Sequence, residues 1–308
     1  MERTLKFFAP IAIVGQGCVL PGALDPQQLW NSVLEGRDVL GEPPESYWGL
    51  DPDAISTSPD GDTMDRTWSK RGGYVRGFDE QFDPSGFLLD EAFIRGLDPL
   101  FRWTLEAARQ AWRDAGKNIQ GEDTHRGGVI LGNLSYPTRS LAEYAESVWR
   151  GEDDRIDAHN RYMSGLPSHL IAQALGLRGG SFSLDAACAS SLYAIKIACD
   201  RLQEGSADVM LAGGVNHADD LFLHVGFCAL NAMSKTGRSR PFNKGADGLV
   251  PAEGAGFVVL KRLEDAVRDG DAIAGVIRGV GLSNDGRGRG MLTPSEEGQW
   301  RAMRDAYE

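Results

Sequence analysis

Cys188 is the residue of this chain best placed for covalent chemistry. It lies in the run Asp185-Ala186-Ala187-Cys188-Ala189-Ser190-Ser191. A strand-like segment, Ser181–Leu184, precedes this run, and a helical pattern follows it, with apolar residues at Leu192, Ile195, Cys199 and Leu202. Free N–H groups and the positive dipole end at a helix start favour a thiolate, and the small alanines leave room for a bulky group. The pattern is typical of an acyl-carrying nucleophile, and it is also compatible with a buried structural cysteine.

The elements that must position Cys188 alternate between apolar strands and helices. The sequence predicts a first strand, Ile11-Ala12-Ile13-Val14-Gly15, that ends in a glycine turn, and further strands at 128–132, 181–184, 208–212, 257–260 and 272–281. Helices are expected from Asp25-Pro26, from Asp98-Pro99 to Gly116, and at 163–175, 263–269 and 296–307. The second of these helices has one apolar face, formed by Phe101, Leu105, Ala108, Trp112 and Ala115. The alternation predicts an α/β protein with a mostly parallel, buried sheet.

Composition restricts the class of protein. The 308 residues can bury a full core, and a net charge of -12 argues against a general binder of nucleic acid or anionic membranes. The cysteines form no C-x-x-C pair and no metal-ligand spacing with histidine, which predicts free thiols in a reducing, cytoplasmic compartment and no metal site. Residues 7–20 superficially resemble a signal peptide, but Pro10 and Gly15 interrupt the apolar run. No segment approaches the ~18 apolar residues of a membrane span.

Four segments together resemble the β-ketoacyl synthase (ketosynthase) family of the thiolase superfamily, in particular the domain that begins type I polyketide and polyunsaturated-fatty-acid-type synthases. They are IAIVGQGCVLPGA (11–23), LDPLFRWTLEAARQAWRDAG (97–116), SLDAACASSLYAIKIACDRLQEGSADVMLAGGVN (183–216) and SRPFNKGADGLVPAEGAGFVVLKRLEDAVRDGD (239–271). Their order and separations are similar to those of the family. The resemblance implies a thiolase-like, layered α-β-α fold with a mostly parallel central sheet.

The resemblance also implies a reaction and its partners. Cys188 would accept an acyl group from a phosphopantetheine thioester on an acyl carrier protein. A malonyl-type extender would then lose carbon dioxide, and its carbanion would attack the acyl-cysteine in a decarboxylative Claisen condensation. No intrinsically bound cofactor is implied. Relatives are homodimers through the region equivalent to 163–184, where the strand Ser181–Leu184 would pair with its copy across a two-fold axis.

Three further residues match family positions at the substrate channel. Phe227 corresponds to a position that lines the acyl pocket, although a plain core aromatic has the same signature. Leu249 replaces a Phe that many relatives carry near the cysteine. Thr293 matches a loop that faces the pantetheine arm, and it is equally compatible with an ordinary turn residue before Pro294. Ala189 also departs from the family, in which a serine often follows the cysteine.

The family's two downstream histidines, the first in an HGTGT-type motif, have no counterpart before Glu308. The resemblance therefore implies that residues 1–308 are the N-terminal region of a ketosynthase, with 37–75 as a long irregular insertion and the C-terminal half absent, and that this region alone does not condense. The histidines present are interpreted as packing or surface residues; they are His125, His159, His169, His217 and His224. Two alternatives stay open: a non-catalytic partner comparable to a chain-length factor, against which Cys188 counts, and a thiol hydrolase, for which a Gly-x-Cys-x-Gly elbow is missing.

Overall fold

The computed structural model describes residues 8–45, 47–48, 51–62, 64–119, 121–134, 137–152, 158–161, 165–218, 220–287 and 293–308. Its strands are β1 (Ile11–Val19), β2 (Gly127–Asn133), β3 (Ser181–Leu184), β4 (Val209–Asn216), β5 (Gly254–Arg262) and β6 (Gly275–Ile277). Its α-helices are α1 (Pro26–Leu34), α2 (Glu91–Arg95), α3 (Pro99–Asp114), α4 (Arg139–Arg150), α5 (Leu166–Leu175), α6 (Ser190–Gln203), α7 (Gly226–Ala229), α8 (Leu263–Asp269) and α9 (Glu296–Tyr307).

In the described part of the chain, the strands form one six-stranded sheet in the order β3-β2-β4-β5-β1-β6. The strands β3, β2 and β4 are parallel neighbours, whereas β5 is antiparallel to both β4 and β1, and β6 is antiparallel to β1. The α/β class and its layers are confirmed. The expectation of mostly parallel pairing is wrong, because the sheet is mixed. A strand that is buried on both faces has the same continuous apolar pattern in either direction, so the sequence did not distinguish the two.

Alternate residues of the central strands pack into two apolar cores, one on each face of the sheet. On one face, Val129 and Leu131 of β2 pack in a core with residues of α3 and α5. On the other face, Ile130 packs in a core with Ala198 and Leu202 of α6. The predicted apolar face of α3 is confirmed, since all five of its residues are buried. The central layer therefore fixes the start of α6, and with it Cys188, relative to the other strands.

Glycines within strands account for two wrong strand boundaries. The strand β1 continues through Gly15 and Gly17 to Val19, and β4 continues through Gly213-Gly214 to Asn216. A Cβ on Gly17 would lie 2.1 Å from the backbone oxygen of Ala107 in α3. Glycine is thus required by the close approach of a neighbouring backbone, and not by a turn.

Other predicted elements differ in extent. The strand expected at 272–281 is limited to β6, and the helix expected at 163–175 begins as α5 at Leu166, with 163–164 outside the described residues. Leu192 was expected on the apolar face of α6 but is 57% exposed. The described residues of 37–75 form only isolated bridges, in neither helix nor strand. Where the structure is described, none of the helices combines the length and the apolar character that a membrane crossing requires.

Candidate active site

The start of α6 lies over the carboxyl ends of β2 and β4. Two glycines make this possible. A Cβ on Gly132 would lie 2.6 Å from the Cβ of Ser190, and one on Gly214 would lie 3.2 Å from the Cβ of Ser191. Since neither strand end carries a side chain there, the first turn of α6 sits directly against the sheet. Cys188 precedes this helix by two residues, at the edge of the sheet where ligands of α/β proteins commonly bind.

The turn that carries Cys188 is held by hydrogen bonds among its own residues. Ala187 has a φ of 50°, in the left-handed region that alanine rarely adopts. Its N–H donates to Asp185 Oδ1 at 2.9 Å, and its carbonyl accepts from Ser190 Oγ at 2.7 Å. Ser190 Oγ also accepts from the Ala186 N–H at 2.8 Å. No side chain caps the described N-terminus of α6, which begins two residues after Cys188.

Burial separates Cys188 from the other cysteines. Cys188 is exposed, whereas Cys18, Cys199 and Cys228 are buried free thiols. Burial, followed by the charge of Asp25, raises the pKa of Cys18 to about 11. Burial, together with Asp200, raises the pKa of Cys199 to about 12. Among the described residues, Cys188 therefore carries the accessible thiol. Its exposure disagrees with the interpretation of Cys188 as a buried structural cysteine.

Cys188 opens into a largely apolar cleft of about 690 Å³. Phe227 and Leu249 line this cleft together with Cys188, so the structure brings these sequence-predicted residues to one place. Thr293 is exposed and does not line the cleft in the described structure. The remaining apolar lining includes Leu20, Leu29, Val39, Leu40, Leu134, Val215, Leu223 and Pro251. Such a lining fits a hydrocarbon chain attached to the sulfur.

Sequence reasoning missed one functional candidate, the buried carboxyl group of Glu253, which also lines the cleft. Glu253 is 2% exposed. It accepts hydrogen bonds from the Tyr47 hydroxyl at 2.5 Å and from the Val75 N–H at 2.8 Å. Burial raises the pKa of Glu253 to about 7, although these bonds and the Ala218 N–H oppose the shift. The sequence does contain a signal for Glu253, because it is a single carboxylate within the otherwise apolar run 249–257.

The histidines occupy the packing and surface positions expected of them. His125, His159 and His169 are exposed. His217 is buried, and its Nε2 lies 3.2 Å from the Tyr47 hydroxyl. His224 is fully buried, with its Nε2 3.3 Å from the Tyr74 hydroxyl. Neither buried histidine is among the residues described as lining the cleft.

Comparison with known proteins gives consistent matches. The model of the family "Beta-ketoacyl synthase, N-terminal domain" matches residues 9–266. The chain is 37% identical to a PKS-NRPS hybrid synthetase of Aspergillus niger, over 96% of this chain and 16% of that protein. It is also 37% identical to a mycocerosic acid synthase-like polyketide synthase of Mycolicibacterium smegmatis, over 99% of this chain and 14% of that protein. The chain thus spans only a small part of these relatives.

Solved structures agree in fold. The keto synthase-chain length factor PfaC superposes with a TM-score of 0.88 at 38% identity, over 97% of this chain and 34% of that chain. The ketosynthase from module 6 of the bacillaene synthase of Bacillus subtilis superposes with a TM-score of 0.78 at 30% identity, over 97% of this chain and 47% of that chain. The thiolase-like fold expected from the sequence is therefore confirmed, and this chain belongs to the β-ketoacyl synthase family, whose N-terminal domain it contains.

Proposed function

We propose that the chain supplies the nucleophilic half of a condensing enzyme of polyketide or fatty-acid biosynthesis, and that its acyl intermediate forms on Cys188. The observation that carries this proposal is the exposed thiol of Cys188 at an uncapped helix start, facing an apolar cleft of about 690 Å³. The other three cysteines are buried and are not suited to this step.

In the first step, the Cys188 thiolate attacks the carbonyl carbon of an acyl thioester carried on the phosphopantetheine of an acyl carrier protein. The carbon–sulfur bond to pantetheine breaks, and the departing thiolate takes up a proton. The acyl group is then a thioester of Cys188, with its chain in the cleft that Phe227 and Leu249 line. The backbone N–H of Cys188 is the proposed donor to the developing oxyanion. Thr293 is proposed to hydrogen-bond an amide of the pantetheine arm.

In the second step, a malonyl-type thioester loses carbon dioxide, its carbanion attacks the acyl carbonyl carbon, and Cys188 leaves as a thiolate. This step needs donors where the enolate charge develops. The sequence has no HGTGT-type motif. We therefore assign acyl loading, and not decarboxylation, to these 308 residues.

Loading is tested by incubating the protein with an acyl thioester and measuring its intact mass and the modified peptide. One acyl group on Cys188 in the wild type, and none in Cys188→Ala, is the expected result. A wild type that binds carrier protein but never loads would favour the alternative of a non-catalytic partner. Carbon dioxide release from malonyl-carrier protein should not rise above the level of Cys188→Ala; a higher rate would contradict our assignment of the second step.

We further propose a homodimer through the region 163–184. The strand β3 lies at the edge of the sheet, and the side chains of its four residues are half-buried. In the helix that follows β3, Leu192 is an exposed apolar side chain. An edge strand exposes unpaired backbone groups that a second copy can pair. Light scattering of the protein at micromolar concentration tests this, and a monodisperse monomer would be the contrary result.

A further inference from the structure

We propose that the irregular segment 37–75 forms a wall of the cleft that selects the length of the acyl chain, and that Glu253 is the positioning residue that fastens this wall. The inference rests on the proposed function for the nature of its substrate. The wall itself is a feature of the described structure, formed by Val39 and Leu40 from the segment and by Pro251 and Ala252 before β5. We call these four residues the outer wall.

Backbone hydrogen bonds join the two parts of the outer wall. The N–H of Gly41 donates to Gly72 at 2.9 Å, and the N–H of Gly72 donates back to Gly41 at 2.8 Å. The N–H of Gly73 then donates to the carbonyl of Pro251 at 2.8 Å, and the N–H of Glu253 donates to Gly73 at 3.0 Å. The beginning and the end of the segment are thus tied to each other and to the residues that lead into β5.

Glu253 is the side chain on which these parts converge. One carboxyl oxygen accepts from the Val75 N–H, at the end of the segment, at 2.8 Å. The other accepts from the hydroxyl of Tyr47, in the first third of the segment, at 2.5 Å. The Ala218 N–H, after β4, is a third donor to this carboxyl group. An apolar side chain in the same space would leave these donors without an acceptor, which is costly in a buried site.

The same cluster supports a second part of the cleft lining. Tyr74, Ala218 and Leu223 form a small buried core, against which Tyr47, Leu134 and Phe227 pack. Leu134, Leu223 and Phe227 also line the cleft. The hydroxyl of Thr67, again from the segment, lies 3.3 Å from Cys228 Sγ, next to Phe227. A displacement of the segment therefore changes the cleft at both the outer wall and Phe227.

Alkyl reagents of different length measure the shape of the cleft without acyl chemistry. We would determine the rates at which N-ethylmaleimide and N-dodecylmaleimide label Cys188, map the label by mass spectrometry, and divide each rate by that for a free thiol. In Glu253→Leu, the long-to-short ratio should rise about tenfold, because the loss of a buried hydrogen-bond acceptor shifts an equilibrium by about that factor. Tyr47→Phe, which removes one hydroxyl, should change the ratio in the same direction.

Two further variants separate positioning from general damage. Glu253→Gln keeps an acceptor oxygen and should restore most of the wild-type ratio. Glu264→Leu, on the exposed start of α8 and away from the cleft, should leave the ratio unchanged. The effects of Tyr47→Phe and Glu253→Leu should not add in the double variant, since both break the same contact. The proposal would be overturned if the long-to-short ratio of Glu253→Leu stayed at the wild-type value. It would also be overturned if the labelling rates of both maleimides fell by the same factor.

Acyl thioesters with short and long chains form the second arm of the experiment. If the wild type loads them, the same variants should broaden the range of accepted lengths. If the wild type loads none of them, the proposed function fails, while the maleimide ratios still decide whether Glu253 and the segment shape the cleft. If the variants changed the maleimide ratio but accepted the same acyl chain lengths as the wild type, the role of the segment in selecting the acyl chain would be contradicted.

Discussion

The two sides of the Cys188 cleft are built in different ways. On the nucleophile side, residues close in sequence hold the turn, because Asp185 and Ser190 bond Ala187 directly. Gly132 of β2, far away in sequence, contributes only the space that it leaves for the helix start. On the other side of the cleft, away from the Cys188 turn in sequence, the outer wall depends on partners far apart in the chain, such as Tyr47 and Glu253, which are 206 residues apart. The first side is fixed by backbone and small residues, and the second by buried polar side chains.

This difference determines how each side should respond to substitution. A turn held by local backbone bonds tolerates little change in size, since the neighbouring backbone cannot move away. A wall held by a buried carboxyl group responds instead to the loss of an acceptor or to a change in its protonation. Reactivity should therefore depend on the nucleophile side, and the shape and pH response of the cleft on the outer wall.

The largest effect is expected at Cys188 itself. With a limiting amount of iodoacetamide, Cys188 should carry nearly all of the label in the folded protein, because the thiol is exposed and lies two residues before a helix start. Cys199 should be labelled only after unfolding, since it is buried and its pKa is raised to about 12. Peptide mapping by mass spectrometry measures the distribution. Cys188→Ala is the control, and preferential labelling of Cys199 or Cys228 would contradict the assignment.

A smaller effect is expected from Gly132→Ala. The added Cβ would lie 2.6 Å from both the carbonyl carbon and the Cβ of Ser190, so the start of α6 must shift. We expect a loss of about 3 kcal/mol in the free energy of unfolding, at the upper end of overpacking costs, and slower labelling of Cys188. Gly180→Ala is the matched control, because a Cβ there meets nothing within 4 Å. Equal stability of the two variants, measured by urea denaturation, would show that the helix start is not tightly packed.

The same difference explains what the sequence could predict. The turn around Cys188 and the apolar face of α3 depend on residues a few positions apart, so spacing alone was informative. The glycines of β1 and β4 made the predicted strands end too early. The backbone that requires them comes from elsewhere in the chain, from α3 for Gly17 and from β5 for Gly213. The site of Glu253 was missed because its partners Tyr47 and Val75 lie far away in sequence, in a segment whose described residues form neither helix nor strand.

The smallest effect is a pH dependence of stability that originates in the outer wall. Burial raises the pKa of Glu253 from the ordinary value of 4.5 to about 7, so between these pH values the folded protein holds a proton that the unfolded chain has lost. The free energy of unfolding should therefore fall as the pH rises from 4.5 to 7, and this contribution should be constant above that range. The full shift corresponds to about 3 kcal/mol at 1.36 kcal/mol per pKa unit; because buried sites relax, we expect about 1–2 kcal/mol.

Glu253→Gln isolates this contribution, since the amide does not titrate while the neighbouring Tyr47, Arg139, Asp98 and His217 remain in place. Urea denaturation of both proteins at several pH values between 4.5 and 7.5 gives the difference in slope. The wild type should lose stability relative to the variant across this window, and Glu264→Gln, on the exposed start of α8, should follow the wild type. Parallel curves for wild type and Glu253→Gln would mean that the three donors around Glu253 keep its carboxylate ionised, and that the outer wall is held by a charged group throughout this range.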